Sequence, residues 1–218
     1  LPYDSLKDFS PIALVGTATI LLVTHPSLPV SSVTELIALA KSKPRELSFG
    51  STGNGSVSHL TAEYFKSTAG VAIEHIPYKG DAPMTIDLVS GRITMLFDNL
   101  SSSLPLIKAG EVQALGVTSL KRSSAAPEIP TLAEQGLPGF EAISWFSLMA
   151  PAHLPVDIQM RLNQLTRKTL NNSEVKARLL AGGLDPAPGS PQELSKLIAT
   201  ESNKWGRVVN KSGAKLDQ

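Results

Sequence analysis

Short apolar runs alternate with longer amphipathic runs along the chain, and this alternation constrains the fold more than any other feature. Strands are predicted at 12–24, 47–50, 71–76, 93–97, 114–117 and 143–150. Helices are predicted at 32–42, 57–68, 81–90 and 104–108, after Thr131, and at 155–171, 174–181 and 191–210, from capping residues, closing glycines and Pro44. Such alternation is typical of βαβ units around a buried, mainly parallel sheet, so the sequence predicts an α/β protein.

The predicted elements divide into a central part and two flanking parts. Residues 24–119 carry the most regular alternation and predict one compact α/β lobe. The stretch 121–130, rich in serine, alanine and proline, is interpreted as a connection. Residues 1–23 and 120–218 are expected to form a second, discontinuous lobe, so the chain would cross between the lobes twice.

Composition excludes several classes of function. Hydrophobic residues make up 42% of the 218 residues and can fill a sizeable core. A net charge of +1 without a clustered basic face argues against a nucleic-acid partner. Cysteine is absent, so a disulfide framework, a thiolate metal site and a cysteine nucleophile are excluded. The four histidines lack metal-site spacing, and we expect no cofactor.

A glycine-rich stretch between a predicted strand and a predicted helix carries the clearest chemistry. Glycines allow close approach of the backbone to a ligand, and a helix start offers unpaired N–H groups at the positive end of its dipole. This stretch therefore predicts a site for a carboxylate or phosphate. It lacks the lysine of a P-loop and the third glycine of a dinucleotide fingerprint, and a tight turn that binds nothing stays an alternative. The candidate ligand-binding residues here are Ser51, Thr52, Gly53, Asn54, Gly55, Ser56 and His59.

Two further loops follow neighbouring predicted strands. Tyr78, Lys79 and Gly80 come after one strand, and Asp98 and Asn99 come after the next. Ligands in parallel α/β sheets bind at the carboxyl ends of the strands, so parallel strands would bring all three loops to one edge. Asp98 could bind an ammonium group, hold the loops through backbone N–H groups, or cap the following helix.

A catalytic interpretation is weak. The one nucleophile–base set that the sequence offers combines Ser51 or Ser56 with His59 and Asp98. No Gly-x-Ser-x-Gly elbow accompanies it. The sequence therefore favours a binding protein over an enzyme, and a serine-type hydrolase is the weaker alternative.

An ordered set of short motifs resembles one receptor family. They are Leu1-Pro2-Tyr3-Asp4, Asp8-Phe9-Ser10-Pro11, Pro29 to Leu36, Gly50 to Leu60, Pro77-Tyr78-Lys79-Gly80, Phe97-Asp98-Asn99, Pro130 to Gly136, and Glu201 with Trp205. Together they resemble the extracytoplasmic solute receptors of the tripartite tricarboxylate transporter family, the Bug or TctC-like receptors. Each motif alone is weak, whereas the ordered set is specific and spans essentially the whole chain.

The resemblance implies a periplasmic binding protein of the type II kind, with two α/β lobes and a cleft between them. Its ligand would be a small carboxylate, such as a dicarboxylate, tricarboxylate, amino acid or aromatic acid, and its partners the membrane subunits of a tripartite transporter. A sensor role with a signalling partner is the alternative. Of two facing carboxylate loops in the family, the second maps onto 51–56.

One departure from the family concerns the start of the chain. Family members carry a further segment before the position that matches Leu1, and that segment holds the other carboxylate loop. The resemblance therefore implies either that the chain is cut before Leu1 or that its first lobe is incomplete. We expect oligomer formation, strand exchange or weakened binding in this form, and light scattering that shows a monomer with full affinity would contradict this.

Overall fold

The computed structural model describes residues 2–214, which contain seven strands and seven helices. The strands are β1 (Phe9–Thr24), β2 (Ser48–Ser51), β3 (Glu74–Pro77), β4 (Met95–Asn99), β5 (Gln113–Val117), β6 (Ile143–Pro151) and β7 (Asp185–Pro186). The helices are α1 (Val33–Ser42), α2 (Val57–Ala69), α3 (Asp81–Val89), α4 (Leu100–Lys108), α5 (Val156–Leu170), α6 (Ser173–Ala181) and α7 (Pro191–Ser212). The predicted α/β class is confirmed.

The described chain divides into two compact units. Unit 1 combines the residues up to Ala18 with 144–206, and unit 2 combines 19–143 with the residues from Arg207 onward. The two lobes anticipated from the sequence, 24–119 against 1–23 with 120–218, stay a prediction. All the candidate binding residues belong to unit 2.

The strands of unit 2 run in the order β3-β2-β4-β1-β5. β2 is parallel to both of its neighbours, β3 and β4, whereas β1 is antiparallel to β4 and to β5. The mainly parallel sheet is therefore confirmed for β2, β3 and β4 and wrong for β1. A strand buried among neighbours shows the same apolar pattern in either direction, so the sequence of β1 carries no signal of its orientation.

The core of unit 2 fixes the sheet against its helices. Leu21 and Val23 of β1 and Leu96 of β4 meet Met84 and Leu88 of α3, and each is at most 1% exposed. Burying a side chain of this size stabilises the fold by roughly 1.5–3 kcal/mol. This packing holds the strands whose carboxyl ends carry the candidate loops.

The helix caps predicted at Ser32 and Thr131 each differ from the predicted arrangement in one respect. The Ser32 hydroxyl accepts from the Glu35 amide at 3.2 Å, but the Glu35 carboxylate accepts from the Ser31 amide at 2.6 Å instead of from Ser32. Thr131 and Glu134 form both reciprocal bonds, at 3.0 and 2.8 Å. They enclose a turn and not the predicted helix. The Thr131–Glu134 pattern therefore specifies two local hydrogen bonds, which a turn can form as well as a helix can.

Several element boundaries also differ from the predicted ones. β3 begins at Glu74 instead of 71, and α4 begins at Leu100 instead of 104. The serines at 101–103 occupy the first turn of α4, where amides lack helical acceptors and short polar residues are well tolerated.

Unit 1 is built on the first part of β1, which pairs with β6 and with the unpredicted two-residue strand β7. The buried amide of Asn163 in α5 donates to the carbonyls of Ile12 and Gly189, at 2.8 and 2.9 Å. Helix α7 begins with the predicted cap, in which Ser190 Oγ accepts from the Glu193 amide. Within the described residues, every helix is too short or too polar to cross a membrane.

Candidate functional site

Three loops meet at one edge of the unit 2 sheet, because β2, β3 and β4 are mutually parallel. The Tyr78 amide donates to the Ser51 carbonyl at 2.8 Å, which joins the first loop to the second. A Cβ atom on Gly53 would lie 3.9 Å from the Tyr78 carbonyl, so the two loops are in contact there. The three candidate loops therefore lie at the carboxyl ends of parallel strands, which is where ligands bind in such sheets.

Most amides of the glycine-rich loop are already paired within it. The pairs are the Thr52 amide with Ser58 Oγ at 3.1 Å, Gly53 with Ser51 Oγ at 3.2 Å, Gly55 with His59 Nδ1 at 3.0 Å and Ser56 with the Gly53 carbonyl at 3.2 Å. This differs from the open set of amides that the sequence suggested. The loop is therefore fixed by its own bonds, with Gly53 and Gly55 at positive φ of 126° and 76°.

The start of α2 supplies the groups that an anion could use. Ser56 is the N-cap, and its hydroxyl accepts from the His59 amide at 3.3 Å. The amides of Val57 and Ser58 have no acceptor within the described part of the chain. The hydroxyls of Ser56 and Ser58 are 3.1 Å apart, and that of Thr52 is 3.4 Å from Ser58. Free amides, the helix dipole and a hydroxyl cluster together favour a negatively charged group.

Ser51 and His59 lie beneath this surface. Ser51 is 0% exposed, and its hydroxyl is 2.6 Å from His75 Nε2. His59 is 5% exposed, and its Nδ1 accepts from the Gly55 amide. Both side chains therefore support the loop from below. The contact between His75 and Ser51 was not predicted from the sequence, in which alternation along β3 was the available signal.

The Tyr78 side chain turns towards α3. Its hydroxyl donates to Asp87 Oδ2 at 2.8 Å, and Asp87 Oδ1 pairs with Arg92 at 2.8 Å. Burial, and then the Asp87 carboxylate, raise the pKa of Tyr78 to about 12. The hydrogen bond from Tyr78, and then Arg92, lower the pKa of Asp87. These contacts give the phenol a packing role.

The next two loop residues form the start of α3. Lys79 is exposed, and Gly80, at a φ of 105°, is the N-cap of the helix. Asp81, whose residue type favours the N-cap position, is instead the first helical residue. Asp81 fits that place because a carboxylate in the first turn interacts favourably with the helix dipole.

Asp98 is tied to the helix that follows it. Its Oδ2 accepts from Ser103 Oγ at 2.9 Å, and burial is the main cause that raises the pKa of its carboxyl, with a further contribution from Asp81. Asn99 is exposed and is the N-cap of α4 without a side-chain capping bond. Of the three roles considered for Asp98, these contacts favour a structural link to α4.

The catalytic set considered for a hydrolase does not assemble. The Ser51 hydroxyl is buried against His75, and Nδ1 of His59 is occupied by the Gly55 amide. The Asp98 carboxylate contacts Ser103 and not His59. Within the described residues, Ser51, His59 and Asp98 are therefore not linked as nucleophile, base and orienting group.

Comparison with known proteins also indicates a binding protein. The family profile described as the tripartite tricarboxylate transporter family receptor matches residues 1–214. BugT of Bordetella pertussis is 37% identical over 216 residues, which cover 99% of this chain and 66% of BugT. A Pseudomonas sp. protein from the tcbD–tcbE intergenic region is 37% identical, covering 96% of this chain and 62% of that protein.

Solved structures of similar proteins are consistent with the family match. An R. palustris protein determined with adipate superposes with a TM-score of 0.84 at 40% identity, covering 99% of this chain and 72% of that one. MatC of Rhodopseudomonas palustris with bound malate gives a TM-score of 0.80 at 29% identity, covering 96% and 72%. The matched family is one of transporter receptors, which are binding proteins and not enzymes.

The chain therefore belongs to the tripartite tricarboxylate transporter receptor family. It spans about two thirds of the length of the curated relatives it matches, 66% of BugT and 62% of the Pseudomonas protein.

Proposed function

We propose that this chain is the ligand-binding part of a periplasmic receptor that captures a small carboxylate for a tripartite tricarboxylate-type secondary transporter. The observation that carries the proposal is the junction of the glycine-rich loop with α2. There the amides of Val57 and Ser58, which have no acceptor within the described part of the chain, adjoin the hydroxyl cluster of Thr52, Ser56 and Ser58. This junction offers donors and a positive dipole to an anion.

The relatives support a carboxylate as that anion. The R. palustris relative was solved with adipate and MatC with malate, and both ligands are small dicarboxylates. Such an acid combines a charged end, which suits the start of α2, with a short body that neighbouring loops can enclose. In this proposal Asn54, Lys79, Gly80 and Asn99 line the rest of the site, while Ser51, His59, Tyr78 and Asp98 hold the loops in place.

Titration calorimetry of the chain tests the proposal directly. The ligands are adipate, malate, citrate, glutamate and benzoate, at constant pH and ionic strength. We expect saturable heat for at least one of them. A bound acid also raises the apparent stability with the logarithm of its concentration over its dissociation constant, so a thermal-shift series gives an independent measure.

A pair of glycine variants places the binding site. Gly53→Ala and Gly110→Ala each force an alanine to a positive φ, 126° and 72°, without a close steric contact. Gly110 follows α4 and precedes β5, so it lies at the opposite edge of the sheet. We expect Gly53→Ala to weaken binding about tenfold or more by shifting the loop. Gly110→Ala should bind as the unmodified chain does, and equal affinities for both variants, or no binding of any acid, would contradict the proposal.

A further inference from the structure

Two histidine rings are stacked directly beneath the glycine-rich loop. His59 comes from α2 and His75 from β3, with ring centroids 3.9 Å apart and an angle of 9° between the planes. Phe49 of β2 extends the stack, 4.8 Å from His75. His59 is 5% exposed and Phe49 is 0% exposed, so these two rings lie inside unit 2, whereas His75 is partly exposed.

Each ring is connected to one of the two loop glycines that have positive φ. Nδ1 of His59 accepts from the Gly55 amide at 3.0 Å. Nε2 of His75 lies 2.6 Å from Ser51 Oγ, and that oxygen accepts from the Gly53 amide at 3.2 Å. The backbone conformation of the loop therefore depends on the two stacked rings.

We infer that His59 and His75 are positioning residues, which hold Gly53 and Gly55 in the conformation that receives the anion, and that His59 does so as a neutral imidazole. The reason lies in the hydrogen bond to Gly55. A ring nitrogen that accepts a backbone N–H carries no proton, so the proton of His59 is on Nε2. Protonation of Nδ1 removes the acceptor and faces the Gly55 amide with a second donor.

The charged groups around the stack fit a neutral ring. Glu63 Oε1 is 3.8 Å from His59 Nε2, and Lys66 pairs with the same oxygen at 2.5 Å. Lys66 also lies 5.3 Å above the Phe49 ring at the other end of the stack. The Glu63 carboxylate is thus already neutralised by Lys66, and a charge on either ring would repel a charge on the other at this separation.

Ligand affinity is therefore linked to pH through His59. Histidine changes charge between about pH 5 and pH 8. As the pH falls, protonation of His59 competes with the bond to Gly55, and the loop loses the conformation that binds. Affinity should be highest when the ring is neutral and should fall towards acid pH.

Two substitutions separate the acceptor from the rest of the ring. In His59→Asn, Oδ1 can take the place of Nδ1 and accept from Gly55, but the side chain does not titrate. In His59→Leu, a side chain of similar bulk offers no acceptor. Adipate and malate are titrated into the unmodified chain and both variants between about pH 8 and about pH 6. Protonation of the dicarboxylate itself is common to the three proteins and cancels in the ratios.

For the unmodified chain we expect the affinity, taken as a ratio to that of His59→Asn at the same pH, to fall severalfold from about pH 8 to about pH 6. His59→Leu should be weaker than the unmodified chain by about tenfold at about pH 8, and its ratio to His59→Asn should stay constant as the pH falls. Hydrogen exchange of the Gly55 amide in the ligand-free proteins gives a readout that is independent of binding. It should be about tenfold faster in His59→Leu and near the unmodified rate in His59→Asn.

The dicarboxylate titrations depend on the proposed function, whereas hydrogen exchange of the Gly55 amide does not. If no dicarboxylate binds the unmodified chain, the proposed function fails and the Gly55 exchange rates still decide whether His59 positions the loop. Equal exchange and equal affinity in the two variants would overturn the inference. So would an affinity ratio of the unmodified chain to His59→Asn that stays constant as the pH falls.

Discussion

The phenol hydroxyl of Tyr78 donates a hydrogen bond of 2.8 Å to Oδ2 of Asp87, in the second half of α3. The side chain of this candidate ligand residue packs against the core of unit 2. Tyr78→Phe removes the bond and keeps the ring, so we expect a loss of roughly 1 kcal/mol in the free energy of unfolding and little change in carboxylate affinity. Urea unfolding and calorimetry measure the two quantities.

Tyr3→Phe is the matched control, because Tyr3 is 47% exposed and its hydroxyl has no hydrogen-bond partner within the described chain. We expect this variant to unfold like the unmodified protein. If Tyr78→Phe instead weakened adipate or malate binding with unchanged stability, the hydroxyl would be a ligand contact and the packing role would be wrong.

The buried carboxyl of Asp98 leads to a prediction about pH. Burial raises its pKa above the ordinary value of 3.8, so the folded state favours the protonated form. That contribution to stability is complete below the unfolded pKa and is lost as the pH rises through the folded one. Asp98→Asn should therefore be more stable than the unmodified chain at neutral pH, with a difference that shrinks towards pH 3 to 4, and urea unfolding across pH measures this.

Asp87→Asn serves as the comparison for Asp98→Asn, because the pKa of Asp87 is shifted in the opposite direction. The pKa of Asp87 is lowered by Tyr78 and Arg92, so its ionised form contributes stability above the unfolded pKa of 3.8 and loses it as the pH falls. Asp87→Asn should be less stable than the unmodified chain at neutral pH. Two shifts of the same sign would contradict this assignment of the two carboxylates.

The sequence predicted most element types and the common edge of the three loops, because apolar periodicity and glycine placement are local signals. It could not predict the direction of β1, since burial between neighbours produces the same pattern either way. Within the site, Ser51 and His59 have the residue types of ligand contacts, but their burial depends on the partner His75, which is 24 and 16 residues away in the sequence. Only the fold places that partner.

Gly50, which directly precedes the glycine-rich loop, is a second residue whose role depends on contacts that the sequence alone does not reveal. A Cβ atom there would lie 2.7 Å from both Ile93 Cδ1 and Leu96 Cδ2, and 2.9 Å from Met84 Cγ. The glycine therefore permits α3 to pack on β2. We expect Gly50→Ala to destabilise the protein by about 1–3 kcal/mol through overpacking, as urea unfolding would measure.

Gly206→Ala is the control for Gly50, because Gly206 lies in α7 with no atom within 4 Å of the added methyl group. An exposed helical glycine replaced by alanine should stabilise by roughly 0.5–1 kcal/mol. The two variants add the same methyl group with opposite expected signs. Similar effects from both would show that the helix-to-sheet distance at Gly50 is adjustable.

In unit 1, the buried amide of Asn163 joins β1 to the segment before α7. The side chain is 4% exposed, and its Nδ2 donates to the carbonyls of Ile12 and Gly189. Asn163→Leu keeps the bulk but leaves both carbonyls without this donor, and each unsatisfied buried group costs about 1–3 kcal/mol. We expect a loss of about 2–4 kcal/mol in urea unfolding, on the same basis.

Gln164→Leu, at the exposed neighbouring position of α5, controls for the change in side-chain type and helix propensity. It should change stability by less than about 0.5 kcal/mol. An equally small effect of Asn163→Leu would mean that water replaces the amide at both carbonyls. A large effect would establish that one side chain, 151 residues from Ile12 in the sequence, holds β1 and the start of α7 together by hydrogen bonding and not by apolar burial alone.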